Sequence, residues 1–578
     1  MKIIVAKTAG FCMGVRRAVE MALDAPMKHQ EPIYAYGPLI HNPQVLNLFE
    51  EKGISVLHEI PDRGTGTVLI RAHGVPPQTK LALRKAGFHV IDATCPRVIK
   101  VQTIIRMHAQ KGHASIIVGD RDHPEVIGLL GYAGEKGYVV GSQSEVEALP
   151  VFEKAIVVAQ TTQNTRFYKD MKAWIGRNFP HYKVFDTICD STEKRQQEAY
   201  QMAREVDALV VVGGHTSGNT RRLAEIVAQT GKPAYHVETE AELDLDALGN
   251  ARSIGITAGA STPNWITKRI FRALEAIPVQ QAVGWRGLFF KLRRVLLLTN
   301  FYVALGAGCL CFTCTRLQGI RPSPLQVLIA FLYVLSMHTL NHLTGTKADR
   351  YNDPDRAAFY RSNRNRLTLL AIVAGAIGLI AAYAIGPLPF LTLLTMSVLG
   401  LSYNLALLPV GLQRWFKYRR IRDVPGSKTI LIAVAWGVVT SIFPALTVTG
   451  EVGLSGLLVF FWSMCVVFVR TAFFDVLDMQ GDRIVGKETI AVLLGEQRSM
   501  QLLWSMTLIS LAILLGGCAW QLVANLGILL TVSPLLMMLI LRAYNQGYLL
   551  PGVRLEFLVD TNFVIAGLVT LLWALIGG

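Results

Sequence analysis

The chain has 578 residues, a formal net charge of +16 and a mean hydropathy of +0.37. That length admits several domains, and that hydropathy excludes a wholly water-soluble protein. The basic balance does not point to nucleic acid, because many of the cations lie in short loops between apolar runs, as membrane topology arranges them. Of eight cysteines, only Cys12, Cys95 and Cys189 lie in the first 280 residues. They are far apart and odd in number, and the apolar run in Met1–Phe11 is too short for a secretory signal. The first half therefore reads as cytoplasmic, with its thiols as ligands rather than disulfides.

That half shows short β-branched runs, including KIIVAK, TVLIRAH, HVIDATC, ASIIVGD, KAIVVAQTT, KVFDTIC, ALVVVGG and SIGITAG. Helical spacing separates several of them, as in Val98–Gln110 and Glu193–Arg204. Alternation of this kind predicts parallel sheets with crossover helices, whose ligands bind beyond the carboxyl ends of the strands. All three cysteines occupy that setting. Cys12 follows the first strand, Cys95 ends a strand ahead of Pro96, and Cys189 precedes the capping residues Asp190, Ser191 and Thr192. Any one of them alone reads as a small buried residue. Three in one repeated setting, at gaps of 83 and 94 residues, suit three modules converging on a metal or cluster.

Polar residues gather at the same strand ends: His41, His73, His123, Glu125, Thr161, Thr162, Ser217, Asn219 and Ser261. Imidazoles, hydroxyls, amides and glycine-rich turns supply donors to phosphate oxygens, so together they read as an anion pocket. Glu125, two residues from His123, is the carboxyl best placed to handle a proton. His89, His108, His113 and His181 read as ordinary, and His215 fits either reading.

The motifs AGFCMGVRRAV, GPLIHNPQV, AHGVPP, DATCP, HPEV, AQTT, GG-x-x-S-x-N and TAGAS run in order across residues 1–280. They resemble the 4-hydroxy-3-methylbut-2-enyl diphosphate reductases, the LytB/IspH family. The resemblance implies three α/β modules around a 4Fe–4S cluster held by Cys12, Cys95 and Cys189, with the fourth iron open to substrate. It implies reductive dehydroxylation of an allylic alcohol diphosphate, with electrons from a donor such as ferredoxin or flavodoxin. Glu125 matches the proton-delivering residue and Thr161 the threonine near the leaving hydroxyl. His41, His73, His123, Ser217, Asn219 and Ser261 match the diphosphate pocket. Some relatives carry a second serine where this chain has Gly218, which leaves a backbone N–H for the phosphate.

Between the halves, Val283–Leu298 mixes Trp285, Phe289 and Phe290 with Arg286, Lys291, Arg293 and Arg294. Rings and cations together favour the lipid headgroup layer, which makes 281–294 a membrane-interface junction between domains at 1–280 and 295–578. Nine apolar runs follow, near 295–315, 323–343, 367–385, 388–409, 429–449, 453–474, 500–520, 525–541 and 559–577. Most reach the roughly 20 residues a spanning helix needs, so the half reads as an all-α multi-pass membrane domain. Alternate loops hold 17 Lys and Arg, whereas the opposite connections hold only Arg316 and Arg321. The positive-inside rule then puts the reductase-like half in the cytoplasm and the chain in the inner membrane.

Acids gather on that same side. Asp349 and Asp353 are spaced to share a helix face, as are Asp475, Asp478 and Asp482. Carboxylates at a membrane helix end are costly unless they are solvated or bind cations, and hard oxygens suit Mg²⁺ bridging to phosphates. Lys347, Arg350, Arg419, Arg420, Arg422 and Lys428 lie nearby in sequence. The D-x-x-D-x-x-G-D-x-x-x-G-K-x-T block at Asp475–Thr489, the basic turn Pro425–Lys428 and the nine runs resemble the UbiA-type intramembrane prenyltransferases over residues 290–578. That resemblance implies Mg²⁺ ions holding a prenyl diphosphate against Asp349, Asp353, Asp475, Asp478 and Asp482, with Arg350, Arg422 and Lys428 on the diphosphate. The usual first motif starts with Asn where this chain has Gly345. Cys309, Cys311 and Cys314 fall within the first span and read as small residues packing a lipid-embedded helix. The competing reading makes the membrane half a non-catalytic anchor or a carrier.

Overall fold

The computed structural model describes all residues except 30, 282–284, 345–348, 350, 403–423, 425, 486 and 578. The chain divides into two compact units, Met1–Pro278 and Val279–Gly578.

In the first unit, twelve strands numbered in chain order form three parallel four-stranded sheets. One runs β3 (Ile54–Leu57), β2 (Ile33–Tyr36), β4 (Thr67–Ile70), β5 (His89–Asp92). The next runs β7 (Gly137–Val140), β6 (Ala114–Val118), β8 (Ala155–Ala159), β9 (Lys183–Val184). The last joins the two ends of the unit: β11 (Ala234–Val237), β10 (Ala208–Val212), β12 (Ser253–Ala258), β1 (Lys2–Val5). Each sheet thus has the order second, first, third, fourth, and in the last the chain start supplies the fourth strand. The runs ASIIV, AIVVA and ALVVV are buried along their whole length, because helices cover both faces of a parallel sheet. The threefold repeat lies in topology, not in recognisable sequence.

The second unit is helical. Among its described residues, seven helices are long and apolar enough to cross a membrane, or eight if the bent pair Gly287–Leu298 and Phe301–Leu317 counts as one span. The expected nine is approximate. The run near 388–409 is a helix of 16 residues, Pro387–Ser402, and the rest of it lies outside the described residues. The helices bury a shared core that includes Trp436, Trp462, Phe443 and Phe563. Cys311 and Cys314 are buried in it, and a Cβ on Gly567 would come 2.7 Å from Cys309 Cβ. Small residues at that crossing let two helices approach closely, as expected.

In the junction, Trp285–Leu298 is a helix that exposes Trp285, Leu288, Phe289, Leu292 and Val295 along one face. It meets the next helix at 74°. Asn300 makes the elbow with φ of 61°, its amide donating to Tyr360 Oη at 2.7 Å. Val283 and Gly284 lie outside the described residues.

Candidate active sites

Each cysteine follows the fourth strand of its sheet and begins the next helix. Cys12 precedes Met13–Lys28, Cys95 precedes Pro96–Ala109, and Cys189 precedes Asp190–Glu205. Asp190, Ser191 and Thr192 therefore lie inside the first turn, and the cap itself is Cys189. The three helix starts are tied together. Arg17 Nη1 donates to Thr94 O at 3.1 Å, Arg97 pairs with Asp190, and Arg195 Nη2 donates to Gly10 O at 2.6 Å. Gly14 has to be glycine, because a Cβ there would come 2.4 Å from Cys95 Sγ.

A helix start alone would acidify these thiols, but burial pushes the Cys95 thiol up despite the Arg97 and Val98 amides, and Cys12 and Cys189 push it further. A bound cation reverses that balance, since thiolates that repel one another share it. Among the described residues, the only trio of His, Cys, Asp or Glu ligand atoms within 4.8 Å of one another is His41, His73 and His123. Three soft donors at helix starts that are tied to one another fit the donor set of an iron–sulfur cluster.

The anion pocket stands at the ends of the first and third strands of each sheet. His41 follows β2, His73 follows β4, His123 and Glu125 follow β6, Thr161 follows β8, Ser217 and Asn219 follow β10, and Ser261 follows β12. The imidazoles of His41, His73 and His123 have ring centroids 4.8, 5.4 and 5.9 Å apart. Burial lowers the pKa of all three, to about 4 for His123, and Arg71 adds to the effect at each ring. Arg221 presses on His41 and Arg222 on His123. Three arginines around three imidazoles select an anion over a cation. His41 Nε2, His73 Nδ1 and Asn219 Nδ2 are buried without a protein partner, a costly state that phosphate oxygens relieve. Ser261 Oγ donates to His41 O at 3.1 Å and sits 3.5 Å from Ser217 Oγ, which joins two modules. A Cβ at Gly218 would lie 3.5 Å from His123 Cδ2, so that position borders the pocket with room for a serine.

Glu125 is 1% exposed. Its Oε1 accepts from Thr161 N at 2.6 Å and its Oε2 from Thr161 Oγ1 at 2.9 Å. Burial raises its pKa to about 7 even against those two bonds, which suits an acid working near neutrality. Thr161 O in turn accepts from Cys189 N at 3.0 Å, so one threonine links the proton donor to the thiol centre.

His215 stands apart at the surface, paired with Glu242 at 2.9 Å. His89 stacks on His29, and His181 and His108 bond backbone carbonyls. Sequence reasoning missed the arginines. Arg222 grips Asp120 through two bonds of 2.7 and 2.8 Å and donates to Thr162 O at 3.0 Å. Arg195, buried, donates to Ala258 O at 2.8 Å. Both lie more than a turn into a helix, where an arginine reads as part of a solvated face; Arg71, directly before Ala72-His73, was the findable one.

In the second unit the two acidic blocks meet. Asn352 Nδ2 donates to Asp482 Oδ1 at 2.9 Å. Asp475, Asp478 and Asp482 share the helix Leu454–Ile484, which runs past the expected apolar segment, so they are not loop residues. Asp475 and Asp482 are 4% and 3% exposed, which excludes solvated carboxylates there. Asp475 accepts from Thr429, on the helix Ser427–Gly437 that also carries Lys428. Asp353 N donates to Asp349 O at 2.8 Å, the bond of a helical turn, so the two acids stand one turn apart as their spacing predicts. Pro354 ends that turn at Asp353, which also caps Pro354–Ser362 by accepting from Arg356 N at 3.1 Å. Asp349 lies 3.1 Å from His342 Nδ1; burial pushes its carboxyl up, but His342, Lys487 and Arg356 hold it below the usual range. Lys487 also reaches Asp482 at 3.8 Å, so one cation faces both blocks. Gly345, Lys347, Arg350, Arg419, Arg420, Arg422, Pro425 and Gly486 lie outside the described residues.

Fold and site define a three-module α/β protein with a thiol-lined centre, continued by a helical membrane domain. Comparison with known proteins agrees. The LytB protein family model matches residues 3–275, and the UbiA prenyltransferase family model matches residues 296–549. The 4-hydroxy-3-methylbut-2-enyl diphosphate reductase of Trichlorobacter lovleyi is 44% identical over 277 residues, covering 48% of this chain and 99% of the relative. That of Oleidesulfovibrio alaskensis is 46% identical over 277 residues, covering 47% and 98%. Among solved structures, the reductase from Plasmodium falciparum matches at 29% identity and TM-score 0.45, covering 47% of this chain and 86% of that one. A UbiA homolog from Archaeoglobus fulgidus bound to GPP and Mg²⁺ matches at 19% identity and TM-score 0.33, covering 49% and 98%. The chain belongs to the 4-hydroxy-3-methylbut-2-enyl diphosphate reductase family, fused to a UbiA prenyltransferase domain.

Proposed function

We propose that one chain carries two isoprenoid activities, reduction of 4-hydroxy-3-methylbut-2-enyl diphosphate by residues 1–280 and Mg²⁺-dependent prenyl transfer by residues 295–578. The observation that carries the first is the Glu125–Thr161–Cys189 chain beside orphaned donors on His41, His73 and Asn219. Cys12, Cys95 and Cys189 would hold a 4Fe–4S cluster, which when bound would relay two electrons, one at a time, from an external reductant and offer a Lewis-acidic iron. The imidazoles, Ser217, Asn219, Ser261 and the Gly218 N–H bind the diphosphate and fix the alcohol end near Thr161. Glu125 delivers a proton. Two electrons and two protons break the allylic C–O bond, release water and form one C–H bond, giving isopentenyl and dimethylallyl diphosphates.

In the membrane half, burial of Asp482 against Asn352 and of Asp475 against Thr429 supports a cation site over an anchor with solvated acids. Asp349, Asp353, Asp475, Asp478 and Asp482 would hold Mg²⁺ against a prenyl diphosphate, with Arg350, Arg422 and Lys428 on its phosphates. The excess of Lys and Arg in alternate loops supports a cytoplasmic side for both sites at the inner membrane. The test is product analysis of anaerobically prepared membranes given the allylic substrate, a reductant, prenyl diphosphates with Mg²⁺ and a panel of acceptors. Both five-carbon diphosphates and a prenylated acceptor are expected. Absence of prenyl diphosphate binding would return the membrane half to the anchor reading.

A further inference from the structure

We infer that Glu556 is a positioning residue of the membrane half: it draws the Arg356 guanidinium away from Asp353 and so leaves that carboxylate to a divalent cation. The inference rests on the prenyl-transfer reading, in which Asp353 is a Mg²⁺ ligand. Glu556 and Asp560 stand four residues apart on one face of the helix Val553–Leu575, which begins beyond the residues that the UbiA family model matches. Each accepts from an arginine. Arg470, on the helix that carries Asp475, Asp478 and Asp482, donates Nε to Asp560 Oδ1 at 2.7 Å and Nη2 to Oδ2 at 3.3 Å. Arg356, on the helix that Asp353 caps, donates Nη2 to Glu556 Oε2 at 3.0 Å. One helix face therefore answers one cation beside each acidic block.

The geometry at Arg356 is that of a shared guanidinium. Its Nε lies 3.6 Å from Asp353 Oδ2, too far for a hydrogen bond, and is buried without a partner. The side chains of Arg356, Asp353 and Glu556 are 18%, 15% and 19% exposed, so water and salt screen the three charges weakly. A buried N–H left unpaired is costly, and closing the gap to Asp353 would relieve it. Glu556 opposes that closure. With its charge gone, the guanidinium would pair fully with Asp353 through charge-assisted bonds and occupy oxygens that a divalent cation needs. Glu556 thus matters because of the charge on Arg356, so the effects of the two residues on cation affinity should cancel when both are removed.

The test follows capture of radiolabelled geranyl diphosphate by the full chain in nanodiscs as Mg²⁺ is raised. Glu556→Gln should raise the half-saturating Mg²⁺ by about tenfold or more, with full capture restored once Mg²⁺ saturates. Glu556→Gln combined with Arg356→Gln should return half-saturation to within about threefold of wild type, and Arg356→Gln alone should stay within the same range. A purely structural role predicts something else: less capture at every Mg²⁺ concentration, and no rescue by the second change. An unmoved Mg²⁺ requirement in Glu556→Gln, or a raised one that the double variant keeps, overturns the inference. If Glu556→Gln does not fold, a raised requirement in Arg356→Gln or in the double variant overturns it equally. A wild type with no Mg²⁺-dependent capture removes the prenyl-transfer reading, and this inference with it.

Discussion

Glu125 shows how one residue's surroundings set its chemistry. Sealed from water and hydrogen-bonded to Thr161, its carboxyl has a pKa raised by burial to about 7 in the fold, against an ordinary 4.5. The folded state therefore binds its proton more tightly than the unfolded chain does. That contribution to stability is complete below about pH 4.5 and is lost as pH rises toward 7. In turnover the same shift gives an alkaline limb near pH 7, where the acid is spent. Glu125→Gln keeps the shape and loses the proton, so the rate should fall roughly 100-fold and the limb should vanish, while the visible absorbance of the proposed cluster persists. A pH–rate profile of the variant that keeps the limb would show that another group delivers the proton. His123 carries the opposite bias: its pKa of about 4 makes the imidazole a neutral donor at pH 7, ready to bond phosphate oxygens without a counter-charge.

At the scale of elements, the sites depend on what each helix and strand end leaves open. Gly14 and Gly481 do the same work in the two units. A Cβ on Gly481 would fall 1.8 Å from Asn352 Oδ1, so this helix turn accepts the Asn352 amide only because position 481 has no side chain. Gly481→Ala should push Asn352 off Asp482 and cut prenyl transfer more than tenfold, with reduction in the same protein unchanged. Normal transfer in that variant would detach Asn352 from the site. The strand ends were legible because parallel strands bury β-branched runs and stop at polar residues, and every chosen site residue of the first half does stand at such an end. The arginines were not legible, since nothing local marks Arg195 or Arg222 as buried. The spacing of Asp349 and Asp353 was legible as one helical turn, and Pro354 is why that turn stops at Asp353. The helix Leu454–Ile484 ran long because its polar end is buried against Asn352 and Thr429 rather than left in solvent.

At the scale of the whole molecule, the first unit repeats one topology three times, closing the last sheet with the chain start. A cysteine at each fourth strand and a polar group at each first and third strand then converge without any sequence repeat to betray them. The second unit keeps its own core, its own acidic site and its own glycine-dependent contact, so each activity should survive loss of the other. The measurement that tests this most directly quantifies both products in one anaerobic reaction of the full chain. Wild type, Cys95→Ser and Asp482→Asn are compared, with the allylic substrate, a reductant, Mg²⁺, a prenyl diphosphate and its acceptor all present. The account predicts that Cys95→Ser loses the five-carbon diphosphates and keeps the prenylated acceptor, and that Asp482→Asn does the reverse. Loss of both products in either variant, or of neither in both, would contradict two separate active sites in one chain.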